Sequence, residues 1–381
     1  MKFQLTGTEL HKVLSTVIKG FNIKEDNSYV AFKLDPDEGQ LTVTSRSRGT
    51  YFEGKIKAHS VSVVPDEALT YHLDGAKLKQ LVTVLPSAPV GVSFEINEKL
   101  RSFVIKTASD SFKLPVLSET PLAATPVVEE LVTVDANELM KTMKDLIRIV
   151  STEQSAQEHQ ISCMHFHLEN SKVSLSATDS YAFGSISIDA SGVTLEDDKT
   201  KDVLIRHTEV STLMESFATG ETLTIVGSDD MFGYIDENQT LSLVGLIDMT
   251  PLDTKQLEAI TKNDNTVTVD KGELKSAIET VSKLSPSDET VDIDLDEKEV
   301  KVSNRYGDSI RVAVSESDLA SPGGASFATS VLQKIINPAN AGNLRLEFGP
   351  FDEGGAVRVA SLHPDGTAVE ETALIATLME R

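Results

Sequence analysis

The chain has 381 residues, 40% of them hydrophobic, and a formal net charge of −24; that is enough for two or three hydrophobic cores rather than one. So much acid excludes a protein that coats nucleic acid with its whole surface, because phosphate contacts need Lys and Arg, but it leaves room for a local basic face. The single cysteine, Cys163, cannot close an internal disulfide, the first residues lack a signal peptide's apolar run, and no stretch reaches the ~18 apolar residues of a membrane span. A cytoplasmic chain with no membrane partner is expected.

The first element, "FQLTGTELHKVLSTV" (3–17), reads as a short alternating strand, a Thr at an N-cap and an apolar pattern at helical spacing. A hairpin pattern follows in "GQLTVTSRSRGTYFEGKI" (39–56), then a second strand-to-helix element in "LTYHLDGAKLKQLVTVL" (69–85) and further strands up to "SFKLPVLSETP". The series then restarts. "VTVDANELMKTMKDL" (132–146) leads to "SKVSLSATDSYAFGSISI" (171–188), "DVLIRHTEVSTLMESF" (202–217) and closing strands. "VTVDKGELKSAIETV" (267–281) leads to "KEVKVSNRYGDSIRVAV" (298–314), "ASFATSVLQKIINPA" (325–339) and closing strands. Glu-Leu recurs at Glu9-Leu10, Glu138-Leu139 and Glu273-Leu274, a spacing of domains and not of solenoid repeats. The Pro-rich connector 118–130 and the polar turn cluster 261–268 predict three α+β domains, 1–127, 128–262 and 263–381, each with two helices on antiparallel strands.

Six predicted helical spans hold 12 Lys and Arg against 10 Asp and Glu, whereas the rest of the chain holds 23 against 49. On a helical wheel Lys141, Lys144 and Arg148 share one stripe opposite Leu139, Met143, Leu146 and Val150, and Lys12 and Lys19 oppose Leu10, Leu14 and Val17. A solvated face explains one such stripe; its recurrence against an acidic background favours a functional surface.

Catalytic and metal signatures do not assemble. His165 and His167 share a strand face and His159 lies nearby, but no further ligand or Cys pair stands at zinc-like spacing. "DIDLDE" (292–297) has Glu297 where a calcium loop needs Gly and reads as a solvated strand. "SPGGAS" lacks the Lys-Ser/Thr of a phosphate loop. No enzyme, no metal and no cofactor are expected.

Three α+β units in this order resemble the bacterial-type DNA polymerase processivity clamp, the β sliding clamp family, over the whole chain. The motifs that carry the resemblance are "CMHFHLENSKVSLSATDSYAFG", "LSLVGLIDMTPLD", "SFKLPVLSETP" and the C-terminal "ALIATLMER". The resemblance implies half of a six-domain ring closed as a homodimer, with helices lining a hole for duplex DNA held without sequence preference. Its DNA-facing cations would be Lys12, Lys19, Lys77, Lys79, Lys141, Lys144, Arg148, Arg206, Lys271, Lys275 and Lys334.

It also implies a replicative DNA polymerase, a clamp loader and other replication and repair proteins as partners. They would dock linear peptides in a groove formed by Ile161, Thr178, Ser180, Tyr181, Phe183, Pro251, Ile375, Ala376, Thr377, Leu378 and Met379. Two features depart from the family pattern. The loop after Asp179 reads "SYAF" where Gly-His-Arg is usual, and the paired edge strands lack opposite charge, so closure would lean on apolar contacts such as Phe112 and Leu284. A non-replicative β-rich assembly protein built from duplicated domains is the alternative; it does not account for two amphipathic helices per unit with cations opposite the core.

Overall fold

The computed structural model describes residues 2–377 apart from 23, 25–27, 36, 63–68, 86–90, 98–101, 108, 119–123, 153–159, 192–199, 218–219, 252, 254–264, 286–288, 321, 340, 349–355, 364–366 and 368–371. One element order recurs three times: strand, helix, four strands, helix, three strands, with one extra short strand, β5, between the helices of the first copy. The first copy is β1 (Lys2–Thr6), α1 (Gly7–Val17), β2 (Tyr29–Asp35), β3 (Gln40–Ser47), β4 (Thr50–Lys57), β5 (Ser60–Ser62), β6 (Leu69–Leu73), α2 (Gly75–Val82), β7 (Gly91–Asn97), β8 (Ser102–Lys106) and β9 (Ser111–Ser118). The second is β10 (Glu129–Asp135), α3 (Ala136–Leu146), β11 (Cys163–Leu168), β12 (Lys172–Thr178), β13 (Ala182–Ser191), β14 (Lys201–Arg206), α4 (His207–Ser216), β15 (Thr222–Gly227), β16 (Met231–Asp236) and β17 (Leu241–Gly245). The third is β18 (Asn265–Asp270), α5 (Lys271–Leu284), β19 (Thr290–Leu295), β20 (Glu299–Ser303), β21 (Ser309–Asp318), β22 (Gly323–Ala328), α6 (Thr329–Ile336), β23 (Asn343–Phe348), β24 (Ala356–Ser361) and β25 (Thr372–Thr377). The mixed α+β class and the repeated strand–helix and hairpin elements are those the sequence predicts.

Local chemistry explains the helix starts. The Thr6 hydroxyl accepts from the Glu9 N–H at 3.2 Å while the Glu9 carboxylate accepts from the Thr6 N–H at 3.4 Å, a reciprocal capping box. Asp74 caps α2 through the Lys77 N–H at 3.0 Å, and Asp270 caps α5 through the Glu273 N–H at 2.8 Å; each such cap contributes about 1 kcal/mol. The apolar stripes face inward: Leu10, Leu14 and Val17 of α1 and Leu139, Met143 and Leu146 of α3 are buried. Glycines set the closest helix–sheet approach. A Cβ on Gly54 of β4 would sit 2.5 Å from a Val13 methyl of α1, and one on Gly184 of β13 would sit 2.5 Å from the Ile149 Cδ1 just past α3.

Packing divides the chain into two compact units, one comprising Met1–Asn137, Ala190–Lys199 and Thr208–Ile247, the other Glu138–Asp189, Thr200–His207 and Asp248–Arg381. Each is organised by an antiparallel sheet that runs from one repeat into the next. In the first, β10–β15–β16–β17 continues through Leu243↔Tyr51 into β4–β3–β2–β6. In the second, β14–β11–β12–β13 continues through Phe183↔Ile375 into β25–β24–β23–β18. Period-two alternation fixes the faces. Met164, Phe166 and Leu168 of β11 are buried in the core, so Cys163, His165 and His167 lie on the opposite face. No helix among the described residues is long and apolar enough to cross a membrane.

Candidate functional site

Several of the residues expected to line a groove lie at or beside the joint between β13 and β25. Register places Thr178 opposite Phe183 and Phe183 opposite Ile375, whereas Ala182 and Ala376 pair on the other face, which packs under α3, so Ala376 is buried in the core and does not line the expected groove. Phe183, Ile375 and Ala356 of β24 form a small apolar cluster on the Phe183 face. A shallow hollow beside it is lined by Gln160, Cys163, His165, Ser176, Ala177, Thr178, Phe183 and Leu204. The Gln160 amide donates to the Thr250 carbonyl, which draws the segments carrying Ile161 and Pro251 together. Leu378 and Met379 lie outside the described residues, as does the side chain of Thr377.

The rim loop is held by one carboxylate. Asp179 Oδ1 accepts from the Tyr181 N–H at 3.0 Å and the Ala182 N–H at 2.7 Å, an Asx turn. Its Oδ2 is ion-paired with Lys334 of α6, tying the loop to the third repeat. Ser180 takes a φ of 80°, uncommon for a residue with a Cβ. The loop leaves Tyr181 largely exposed, an aromatic side chain with an apolar ring and a polar tip.

The cations fall into two groups. Lys77, Lys79, Lys141, Lys144, Arg148, Lys275 and Arg206 are exposed; among the described residues none of them forms an ion pair. Around Asp145 they are dense: Lys141, Arg148, Lys271 and Lys144 all act to lower its pKa, yet burial pushes it up overall. Burial and the neighbouring Lys275 together hold the Lys271 ammonium below its usual range. The first helices of the second and third repeats thus share one basic patch. The other group is engaged within the chain. Lys12 donates to the Asn238 amide oxygen at 2.8 Å, Lys19 pairs with Glu215 of α4 at 3.4 Å, Lys271 donates to the Asn337 carbonyl at 3.1 Å, and Lys334 holds Asp179. Periodicity identified Lys12 and Lys19 as outward-facing and resemblance added Lys271 and Lys334, but neither could pair them, since their partners come from distant sequence.

Of the two residues expected at a chain–chain contact, Leu284 ends α5 with 59% of its surface exposed and Phe112 on β9 is half-buried. Sequence reasoning missed Val84, which is 60% exposed beyond α2, together with Leu117 and Tyr306. An isolated apolar residue carries no periodic signal.

This architecture recurs in solved structures. The DNA polymerase sliding clamp of Bacillus subtilis superposes with a TM-score of 0.83 at 16% identity, covering 100% of this chain and 99% of that one. The DNA polymerase III subunit beta of Pseudomonas aeruginosa gives 0.82 at 15% identity with 100% of both chains covered. The Helicobacter pylori beta clamp bound to a DNA ligase peptide gives 0.79 at 13%, again over 100% of both. No protein-family model matches the sequence, and no curated protein matches it significantly. The fold is therefore that of the DNA sliding clamp. Its form is the bacterial one, that of the polymerase III β subunit, over the full length of the chain.

Proposed function

We propose that the chain is a DNA sliding clamp, a non-enzymatic processivity factor of the bacterial β family. Two copies close into a six-domain ring around duplex DNA and tether a replicative polymerase and other DNA enzymes through the β13–β25 groove. The observation that carries this reading is the count of strand joints. Equivalent strands meet twice inside the chain, β17 on β4 and β25 on β13. The third equivalent pair, residues 111–115 of β9 and 309–313 of β21, has one edge of each strand unpaired among the described residues. A second copy placed head to tail satisfies both edges, leaving no open sheet.

Helix ends support the same closure. At the first joint the end of α1 meets α4 through Lys19 and Glu215. The equivalent helix ends at the open joint are those of α5 and α2, which carry the exposed Leu284 and Val84. Apolar burial replaces the ion pair there, with Phe112 nearby. The domains are 1–127, 128–262 and 263–381, and the protein works in the cytoplasm with a clamp loader that opens the ring. Phosphate contacts from Lys77, Lys79, Lys141, Lys144, Arg148, Arg206 and Lys275, with weaker help from Lys12, Lys19, Lys271 and Lys334, carry no sequence information and permit sliding. One clamp of this fold is bound to a DNA ligase peptide, which supports a peptide as the groove's ligand.

The test is retention on DNA. Loaded protein should stay on closed circular DNA through a high-salt wash and leave when the circle is cut. Replacing Lys141, Lys144 and Arg148 by Glu should impair loading while the far-ultraviolet circular dichroism is unchanged. Equal loss from closed and cut circles would overturn the reading.

A further inference from the structure

We infer that His165, His167 and Asp202 form a binding site for a divalent transition-metal ion of the zinc type. Their candidate ligand atoms lie within 4.8 Å of one another. Strand pairing brings them together: His165 and His167 are two apart on one face of β11, and Asp202 of β14 pairs directly with His167. Local spacing in the sequence excludes such a site because the third ligand stands 35 residues beyond His167.

Both rings already point the required nitrogens at one oxygen. His165 Nε2 lies 2.7 Å from Asp202 Oδ1 and His167 Nδ1 lies 2.8 Å from the same atom. Ligands about 2.1 Å from a tetrahedral ion stand roughly 3.4 Å apart, so a small outward rotation of the partly exposed Asp202 side chain opens the space. Each ring's other nitrogen has the outer partner that metal-bound histidines require. His167 Nε2 is 3.2 Å from Glu169 Oε1, and His165 Nδ1 is 3.4 Å from the Ser176 hydroxyl. In the occupied site the ring protons sit on these outer nitrogens, donated to Glu169 and Ser176, and the inner nitrogens present lone pairs to the ion. Two neutral imidazoles and one carboxylate suit zinc, with the fourth position open to solvent.

The site shares its sheet face with the groove, since His165 and Phe183 line the same hollow. Its ligand is nevertheless the ion itself, and the inference does not rest on the clamp reading.

Zinc binding to the chelator-stripped full chain, measured by competition with a chromogenic indicator, should show one ion per chain at micromolar or tighter affinity. Cobalt should give the intense visible absorption of a tetrahedral site. His167→Gln and Asp202→Asn, both at partly exposed positions that leave the core intact, should each abolish this site, and Glu169→Gln should weaken it about tenfold. No zinc binding by the intact chain, or equal binding by His167→Gln and Asp202→Asn, would overturn the assignment.

Discussion

The two strand joints inside the chain are built from equivalent strands and differ in what covers them. At the β17–β4 joint Tyr51, Val226, Leu241 and Leu243 form a closed cluster with Val128, Met231 and Ile235 packed against it. The Tyr51 hydroxyl donates to Glu53 at 2.5 Å, and the Thr125 hydroxyl donates to the same carboxylate at 3.2 Å. Residues of the connector between repeats therefore lie over this joint, and burial with the neighbouring carboxylate pushes the Tyr51 pKa up. Among the described residues the β13–β25 cluster consists of Phe183, Ala356 and Ile375. Among the described residues the same joint is thus an extended core cluster in one place and a small apolar cluster in the other.

The largest effect should come from the covered joint. Leu243→Ala removes a fully buried side chain and should cost about 2–5 kcal/mol in urea unfolding, with peptide binding unchanged in the folded fraction. At the β13–β25 joint the effects should reverse. Phe183→Ala should weaken binding of a peptide carrying Gln and two large apolar residues at least tenfold, or about 1.4 kcal/mol, in titration calorimetry. Its stability cost should be below that of Leu243→Ala. A larger stability loss at Phe183 than at Leu243 would break the comparison.

The buried acids sharpen it. Glu53 at the covered joint is hydrogen-bonded twice, whereas Glu347 of β23, two strands from β25, has Arg358 at 3.9 Å and an unsatisfied Oε2. Burial raises the Glu347 pKa, more than Arg358 and Arg345 lower it. The folded state then holds a proton that the unfolded state has released, so stability falls as pH rises from the ordinary glutamate range through the raised value. Glu347→Gln should remove that fall and leave the protein more stable at neutral pH, measured by unfolding at acidic and neutral pH. Smallest is Ser180→Gly in the rim loop. Relief of the positive φ, set against the extra freedom of glycine in the unfolded chain, should change stability by less than about 1 kcal/mol in the stabilising direction, read as a small rise in Tm.

Local patterns made much of the fold legible. The repeated Glu-Leu, the hairpin alternation and the caps at Thr6 and Asp270 each depend on residues within a few positions of one another. The joints do not. Leu243 pairs with Tyr51, and Lys334 reaches Asp179 across 155 residues; no periodicity encodes those registers. The same limit hid Asp202 from His165 and His167, and hid the engagement of Lys12 and Lys271. The expected groove residues rest on resemblance to a short, local motif around Asp179, while the covering of the other joint depends on a connector whose role emerges only from packing.

The third equivalent joint, open within the chain among the described residues, is proposed to close between two copies. Light scattering of the intact protein at micromolar concentration tests it most directly, alongside a variant carrying Val84→Asp and Leu284→Asp. The intact protein should show twice the chain mass and the variant a single-chain mass, with circular dichroism unchanged. A single-chain mass for the intact protein throughout the micromolar range would contradict it.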